Sequence, residues 1–370
     1  MKTRVVTAIC ILALFLIVNS GSFRFVSGAS TNEIMLTRVG LVETGDAYDV
    51  WVDTDNDIAY VTCGYSGVKI FDIRNPYNPV ELASVPASAS GYAHQFVMSG
   101  NLMLIGDGSG GLKIIDCTNS SNPDVLTQFT GDYAWAVEVE GETAFVANGF
   151  MGGGDRLTIV NITDPTTPAL LGSQTTVGDS TDIEVVENLA FATTSYAGFT
   201  VFDVSNLTNP VQIGDYTGQS TSNAELGDLE IVGDLAYLSY WEQSFKVLNI
   251  SDLSNIGVVA EFTESLSAFS VHIEIDSSLA FLCDHEIGLV VLDISIPTQL
   301  TEIGRYFDGG KPCRVQVVDN LVYMTDADNG FVILEIGENY APTIGFELVL
   351  LVGGVAAILA LGWWLKRRRP

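Results

Sequence analysis

Short apolar runs separated by turn residues fill most of this chain, and they recur. One run reads Gly-apolar-x-apolar-apolar-Asp, as GVKIFD at 67–72, GLKIID at 111–116, GFTVFD at 198–203 and GLVVLD at 288–293. Weaker copies are RLTIVN at 156–161, SFKVLN at 244–249 and GFVILE at 330–335. Their last residues are Asp72, Asp116, Asn161, Asp203, Asn249, Asp293 and Glu335, at successive spacings of 44, 45, 42, 46, 44 and 42 residues. Such a spacing marks an internal repeat, and short apolar runs bounded by turn signals, without helical periodicity, predict strands.

Each copy has the same neighbours. Ahead of it lies a second apolar run: DIAYV (57–61), NLMLI (101–105), ETAFV (142–146), NLAFA (188–192), DLAYL (234–238), SLAFL (278–282) and NLVYM (320–324). Behind the first six comes a turn, clearest in RNPYNP (74–79), TDPTTP (163–168) and SNLTNP (205–210). Proline cannot join a central ladder, so the chain must leave the strand there. A further strand follows, as in PVELASV (79–85) and PVQIGDY (210–216). Four strands in a period of ~40–50 residues predict one blade of a β-propeller, and blades must stack because none buries its faces alone.

Six repeats are complete, and the seventh, at 311–336, stops after its third strand. The missing fourth strand is found at the other end of the chain, where MLTRVGLVET (35–44) reads like TEIGRYFDGG (301–310). The expected fold is therefore all-β: a seven-bladed β-propeller of four-stranded blades, closed by the N-terminal strand. Joining the two ends within one blade leaves no raw seam.

These repeats resemble those of LVIVD-repeat proteins, named for the core strand that GLKIID and GLVVLD echo; the likeness covers about 300 of the 370 residues. The resemblance implies the propeller fold and no particular reaction. The C-terminal GFELVLLVGGVAAILALGWWLKRRR is similar to archaeal surface-protein tails that a sorting enzyme trims. Those tails carry Pro-Gly-Phe where this chain has Ile344-Gly345-Phe346, a departure that favours a retained helix.

The two ends read as targeting segments. Lys2 and Arg4, the apolar run Val5–Val18 and the small residues Ser27 to Ser30 predict a signal peptide over 1–29. Residues 344–365 are apolar except for Glu347, which is long enough to span a bilayer, and the basic tail 366–370 stays cytoplasmic by the positive-inside rule. The propeller is then the exported domain, 30–340, tethered to the membrane by one C-terminal helix.

The net charge of −29 understates how acidic that domain is, because residues 30–341 hold nine basic residues against 44 acidic ones. Such a surface excludes nucleic acid as a partner and favours cations or basic ligands. Cys63, Cys117, Cys283 and Cys313 remain after the leader, in a compartment that allows disulfides. No CxxC pair suggests zinc. Cys283 and Cys313 fall near one face in adjacent blades, the pair best placed for a bridge.

Candidate chemistry gathers where the first strands line the central channel. One register position reads Asp49, Gln95, Ala136, Asp182, Asp228, Ser270 and Arg314; the position before it reads Tyr48, His94, Trp135, Thr181, Gly227, Phe269 and Cys313. Two expectations compete for this ring. Either the recurring Asp accepts hydrogen bonds from neighbouring backbone and holds blades in register, or Asp49, Asp182 and Asp228 bind a hard cation such as Ca²⁺. Under the second, Arg314 and the aromatics grip a sugar or an anion. The irregular residues Tyr48, His94, Gln95, Trp135 and Arg314 are the better functional clues, since a regular scaffold does not require them. DADNG (326–330) and GDGSGG (106–111) read as plain turns. On the opposite face, N-x-S/T sequons at Asn119, Asn161, Asn206 and Asn249 are glycosylation candidates, with Asn119 and Asn206 the more accessible.

No nucleophile–base pair or metal-ligand spacing stands out. The expected role is a non-enzymatic surface module binding a carbohydrate, a surface protein or a cation, with no cofactor. The alternative is a propeller hydrolase or oxidoreductase holding a metal or cofactor in the channel.

Overall fold

The structure, a computed structural model, describes residues 33–149, 156–176, 178–194, 198–218, 227–241, 244–265 and 267–338. The expected signal peptide, the apolar segment 344–365 and the basic tail lie outside the described residues. Among the described residues there is no helix, hence none long and apolar enough to cross a membrane.

Among the described residues, twenty-eight strands run from Ile34–Val42 to Gly330–Glu338. Five sheets are separate four-stranded meanders, the first built of Asp49–Asp53, Ile58–Thr62, Val68–Asp72 and Val80–Val85. The other eight strands are two more four-stranded units, joined at their outer edges by a single parallel bridge from Ile34 to Gly304. In the last unit the N-terminal strand Ile34–Val42 pairs antiparallel with Gly330–Glu338, with Leu36 opposite Ile336 and Val42 opposite Phe331. The first segment of the chain thus serves as the outer strand of the last sheet. Innermost strands of successive sheets touch in order, and that of the last sheet, Pro312–Val318, touches that of the first, Asp49–Asp53. The array is cyclic and propeller-like.

The repeat signature has local causes. The Gly that opens it has positive φ at Gly67, Gly111, Gly288 and Gly330, and a Cβ there would run into a carbonyl oxygen of the neighbouring outer strand. Only Gly meets both demands cheaply. The Asp or Asn that ends it folds the next turn: Asp116 Oδ1 accepts from Thr118 N at 2.8 Å, Asn161 Oδ1 from Thr163 N at 2.8 Å and Asp293 Oδ1 from Ser295 N at 2.9 Å. These are Asx-turns. In the seventh repeat Glu335 stands at this position, and there the strand runs on to Glu338, with no turn to make.

Most of the apolar core lies between sheets. Leu36 packs with Val332 and Leu334 of its own sheet and with Phe281, Leu289 and Val291 of the sixth. Phe71 stacks on Phe331 with ring centroids 5.5 Å apart, joining the first sheet to the seventh. Every sheet is sandwiched by two others, which is why both faces of the second and third strands are apolar.

Candidate functional site

The innermost strands begin at one end of the channel, and their first residues build three layers. The middle layer is the ring read from the register. Asp49 Oδ2 accepts from Phe96 N at 3.0 Å, Asp182 Oδ2 from Leu229 N at 2.9 Å and Asp228 Oδ2 from Val271 N at 2.9 Å. Each donor belongs to the next sheet, so one oxygen of each Asp stitches two blades together. The other oxygens face Arg314, whose Nη1 lies 2.5 Å from Asp228 Oδ1 and whose Nε lies 3.4 Å from Asp49 Oδ1. With its amide oxygen turned towards Arg314, Gln95 accepts from Nη1 at 2.7 Å and donates to Asp182 Oδ1 at 3.1 Å.

In this hub Asp49, Asp182 and Asp228 are all buried, while the Arg314 side chain is 29% exposed. Burial raises the Asp182 carboxyl well above its ordinary range, and the adjoining Asp228 adds to it, while Arg314 pulls the other way. Burial likewise raises Asp49 against the pull of Arg314. The carboxylates converge on a guanidinium, which supplies the countercharge that the Ca²⁺ expectation assigned to a metal. Among the described residues no cluster of three or more His, Cys, Asp or Glu is arranged to hold a metal ion. Two of the three Arg314 nitrogens, Nη1 and Nε, face these acceptors.

Hydroxyls on the second strands complete the stitching. Thr62 Oγ1 donates to His94 O at 2.6 Å and receives Asp49 N at 3.0 Å, while Thr325 Oγ1 donates to Tyr48 O at 3.1 Å and receives Arg314 N at 3.0 Å. Thr193 and Ser239 receive Asp182 N and Asp228 N in the same way. The repeat carries this signal in the residue following four of its seven second apolar runs, Thr62, Thr193, Ser239 and Thr325, where it is easily taken for a strand end.

Beneath the hub is a layer the sequence reading missed. Two residues further along the same strands stand Glu138, Glu184, Glu230, His272 and Gln316, on the same face because side chains alternate. Glu184 Oε2 accepts from Ile231 N at 2.6 Å, Glu230 Oε2 from Ile273 N at 2.9 Å and Gln316 Oε1 from Val52 N at 2.6 Å, all across blades. With the hub, Glu138, Glu184, Glu230 and His272 line a polar chamber of about 350 Å³. Burial pushes Glu184 and Glu230 each up to about 8.

Above the hub the channel widens into an aromatic cup of about 490 Å³. One wall runs through Tyr65, Tyr92, Tyr48, His94, Tyr133 and Trp135. Tyr65 and Tyr92 meet edge to face at 4.5 Å, and His94 stacks on Trp135 at 3.9 Å. The opposite wall is Trp241, His285 and Phe269, with His285 stacked on Phe269 at 4.7 Å. Tyr92 donates to the Tyr48 hydroxyl at 2.6 Å, and His94 Nε2 meets the Tyr133 hydroxyl at 2.8 Å. Burial lowers His94 to about 3 and His285 to about 4, so both rings are neutral at physiological pH. His94 is 5% exposed, and among the described residues its Nδ1 has no hydrogen-bond partner.

The register thus placed Tyr48, His94 and Trp135 in the cup and Asp49, Gln95, Asp182, Asp228 and Arg314 in the hub below it. Tyr92 and Tyr133 escaped notice because they sit in irregular loops ahead of the first strands, where no periodicity marks them. The bridge that the sequence left open between Cys283 and Cys313 is not formed: Cys63, Cys117, Cys283 and Cys313 are free and buried. Cys313 Sγ instead faces Lys311 O at 3.4 Å and His285 Nε2 at 3.9 Å. On the opposite face, all four sequon asparagines accept from the backbone N two residues on, so Asn119 and Asn206 are tied into turns just as Asn161 and Asn249 are. Asn249 is as exposed as Asn119 and Asn206, contrary to the expected division; Asn161 is half-buried.

No curated protein matches the chain. A profile of the LVIVD repeat matches it seven times, over residues 44–86, 90–130, 131–176, 177–218, 225–263, 273–308 and 309–346, in register with the sheets described above. Seven matches covering most of the chain place this protein in the LVIVD-repeat family.

Proposed function

We propose that the protein is a seven-bladed β-propeller held outside the cytoplasm by its C-terminal apolar segment, and that it is a non-enzymatic binding module whose ligand enters the aromatic cup. The single observation that carries this reading is the pair of facing aromatic walls around a space of about 490 Å³ at the channel mouth. Ligand sites combine apolar, aromatic walls with a few convergent polar groups, and the cup has that composition. Its aromatics are irregular from blade to blade, whereas the stitching residues below recur. The leader-like 1–29 segment, the apolar 344–365 segment and the acidic surface support an outward-facing, tethered chain that avoids nucleic acid.

The reading is tested by screening small solutes, saccharides and peptides against the full-length chain, following tryptophan fluorescence, with Trp135→Leu and Tyr65→Ala as cup variants. A ligand whose binding is weakened by both variants bears the proposal out. Ligands that bind equally to wild type and variants move the site elsewhere. Protease shaving of intact cells tests the topology: loss of the propeller without lysis is expected, and full protection refutes it.

A further inference from the structure

We propose that the cup selects an organic cation, an alkylated ammonium group, in preference to a neutral sugar or an anion. The inference rests on the reading of the cup as the binding site and adds the ligand's chemistry.

Three observations converge. First, the walls are π-rich on two opposing sides, as an ammonium cage requires: Tyr48, Tyr92, Trp135 and Tyr133 face Trp241 and Phe269 across the space. Ring quadrupoles attract a cation over their faces, and the attraction grows when the cation is desolvated. Second, the cup has little positive charge of its own to oppose a cation. Lys311 at the rim is paired with Asp328 at 3.4 Å, while Asp46 is a further rim acid. At the floor, one guanidinium answers three carboxyls, with Nη1 and Nε turned to them. Third, His94 is buried at the base of one wall, and among the described residues its Nδ1 has no hydrogen-bond partner. Both histidines are uncharged there, so neither repels the ligand. Around the cup, the acidic surface concentrates cations at the mouth.

The test compares choline with 3,3-dimethylbutanol, its uncharged isostere of the same shape, and with methyl β-glucoside, on the full-length chain in a polyoxyethylene detergent. Tryptophan fluorescence and calorimetry report binding. Choline is expected to bind about tenfold or more tighter than the isostere. Trp135→Leu is expected to lose about tenfold of that affinity, and the exposed-rim variant Tyr65→Ala about threefold. Because Tyr65 is 79% exposed, its variant keeps the test valid should Trp135→Leu fail to fold. Binding to phosphatidylcholine vesicles as well as to choline assigns the ligand as a lipid headgroup; binding to choline alone assigns a free solute; either supports the proposal. Equal binding of choline and the isostere overturns it while leaving the cup a binding site, as does preference for the glucoside. Binding of none of these probes overturns it too, and the wider screen then decides the binding role separately.

Discussion

Arg314 Nη1 lies 2.5 Å from Asp228 Oδ1, joining residues 86 positions apart across the central channel. The seventh sheet thereby reaches the fifth without passing through the sixth. Register alone makes Asp228 a stitch between neighbours; Arg314 turns three such stitches into one electrostatic hub. An irregular residue of the register, Arg314, thus supplies a countercharge to the buried Asp side chains.

Removing that countercharge should be costly. In Arg314→Met, Asp49, Asp182 and Asp228 stay buried without a cation. The expected destabilisation is about 2–4 kcal/mol, somewhat below the full cost of breaking a buried pair because the Arg314 side chain is 29% exposed. Denaturant melts at pH 7 and pH 5 check this: the deficit should shrink at pH 5, where Asp49 and Asp182, already raised by burial, take up protons more readily.

The two jobs of each Asp separate by substitution. Asp182→Asn keeps an acceptor for Leu229 N and should cost under about 1 kcal/mol, since burial already favours the neutral acid there. Asp182→Ala leaves that buried N–H unpaired and should cost about 1–3 kcal/mol. Equal effects in urea unfolding would mean the hydrogen bond across the blades carries no stability.

The chamber predicts a pH dependence with a definite sign. Glu184 and Glu230 are raised by burial to about 8, above the ordinary carboxyl value of an unfolded chain. Their neutral forms are favoured in the folded state, so the stability they contribute is full below about pH 4.3 and is lost as pH rises through about 8. The double variant Glu184→Gln, Glu230→Gln should flatten this slope and melt higher than wild type at pH 8. The gain is on the order of 1–2 kcal/mol after discounting for solvent in the chamber. Thermal melts across pH 5–9 give the slope directly.

Closure depends on the N-terminal strand. Leu36 is 8% exposed and packs against both the sixth and seventh sheets. Leu36→Ala should cost about 2–4 kcal/mol by leaving a cavity. Leu36→Asp should release the strand, bare the edge of Gly330–Glu338 and promote self-association. Hydrogen exchange at Val332 and Leu334, with light scattering, reports both effects.

Much of this was legible before any coordinates. The Gly-to-Asp strand, its spacing and the spare N-terminal strand determined the seven repeats and the way the ends meet, because strand alternation and turn chemistry act over a few residues and leave a periodic trace. The register of Asp49, Asp182, Asp228 and Arg314 was readable for the same reason. Only tertiary structure decided which groups those side chains meet. The channel gathers residues roughly 45 positions apart, and the direction of a guanidinium or the second Glu layer depends on how the sheets close. The cup is the extreme case: Tyr92 and Tyr133 lie in loops without a period, placed by the blades that flank them. Local periodicity specified the scaffold; convergence across the ring made the site.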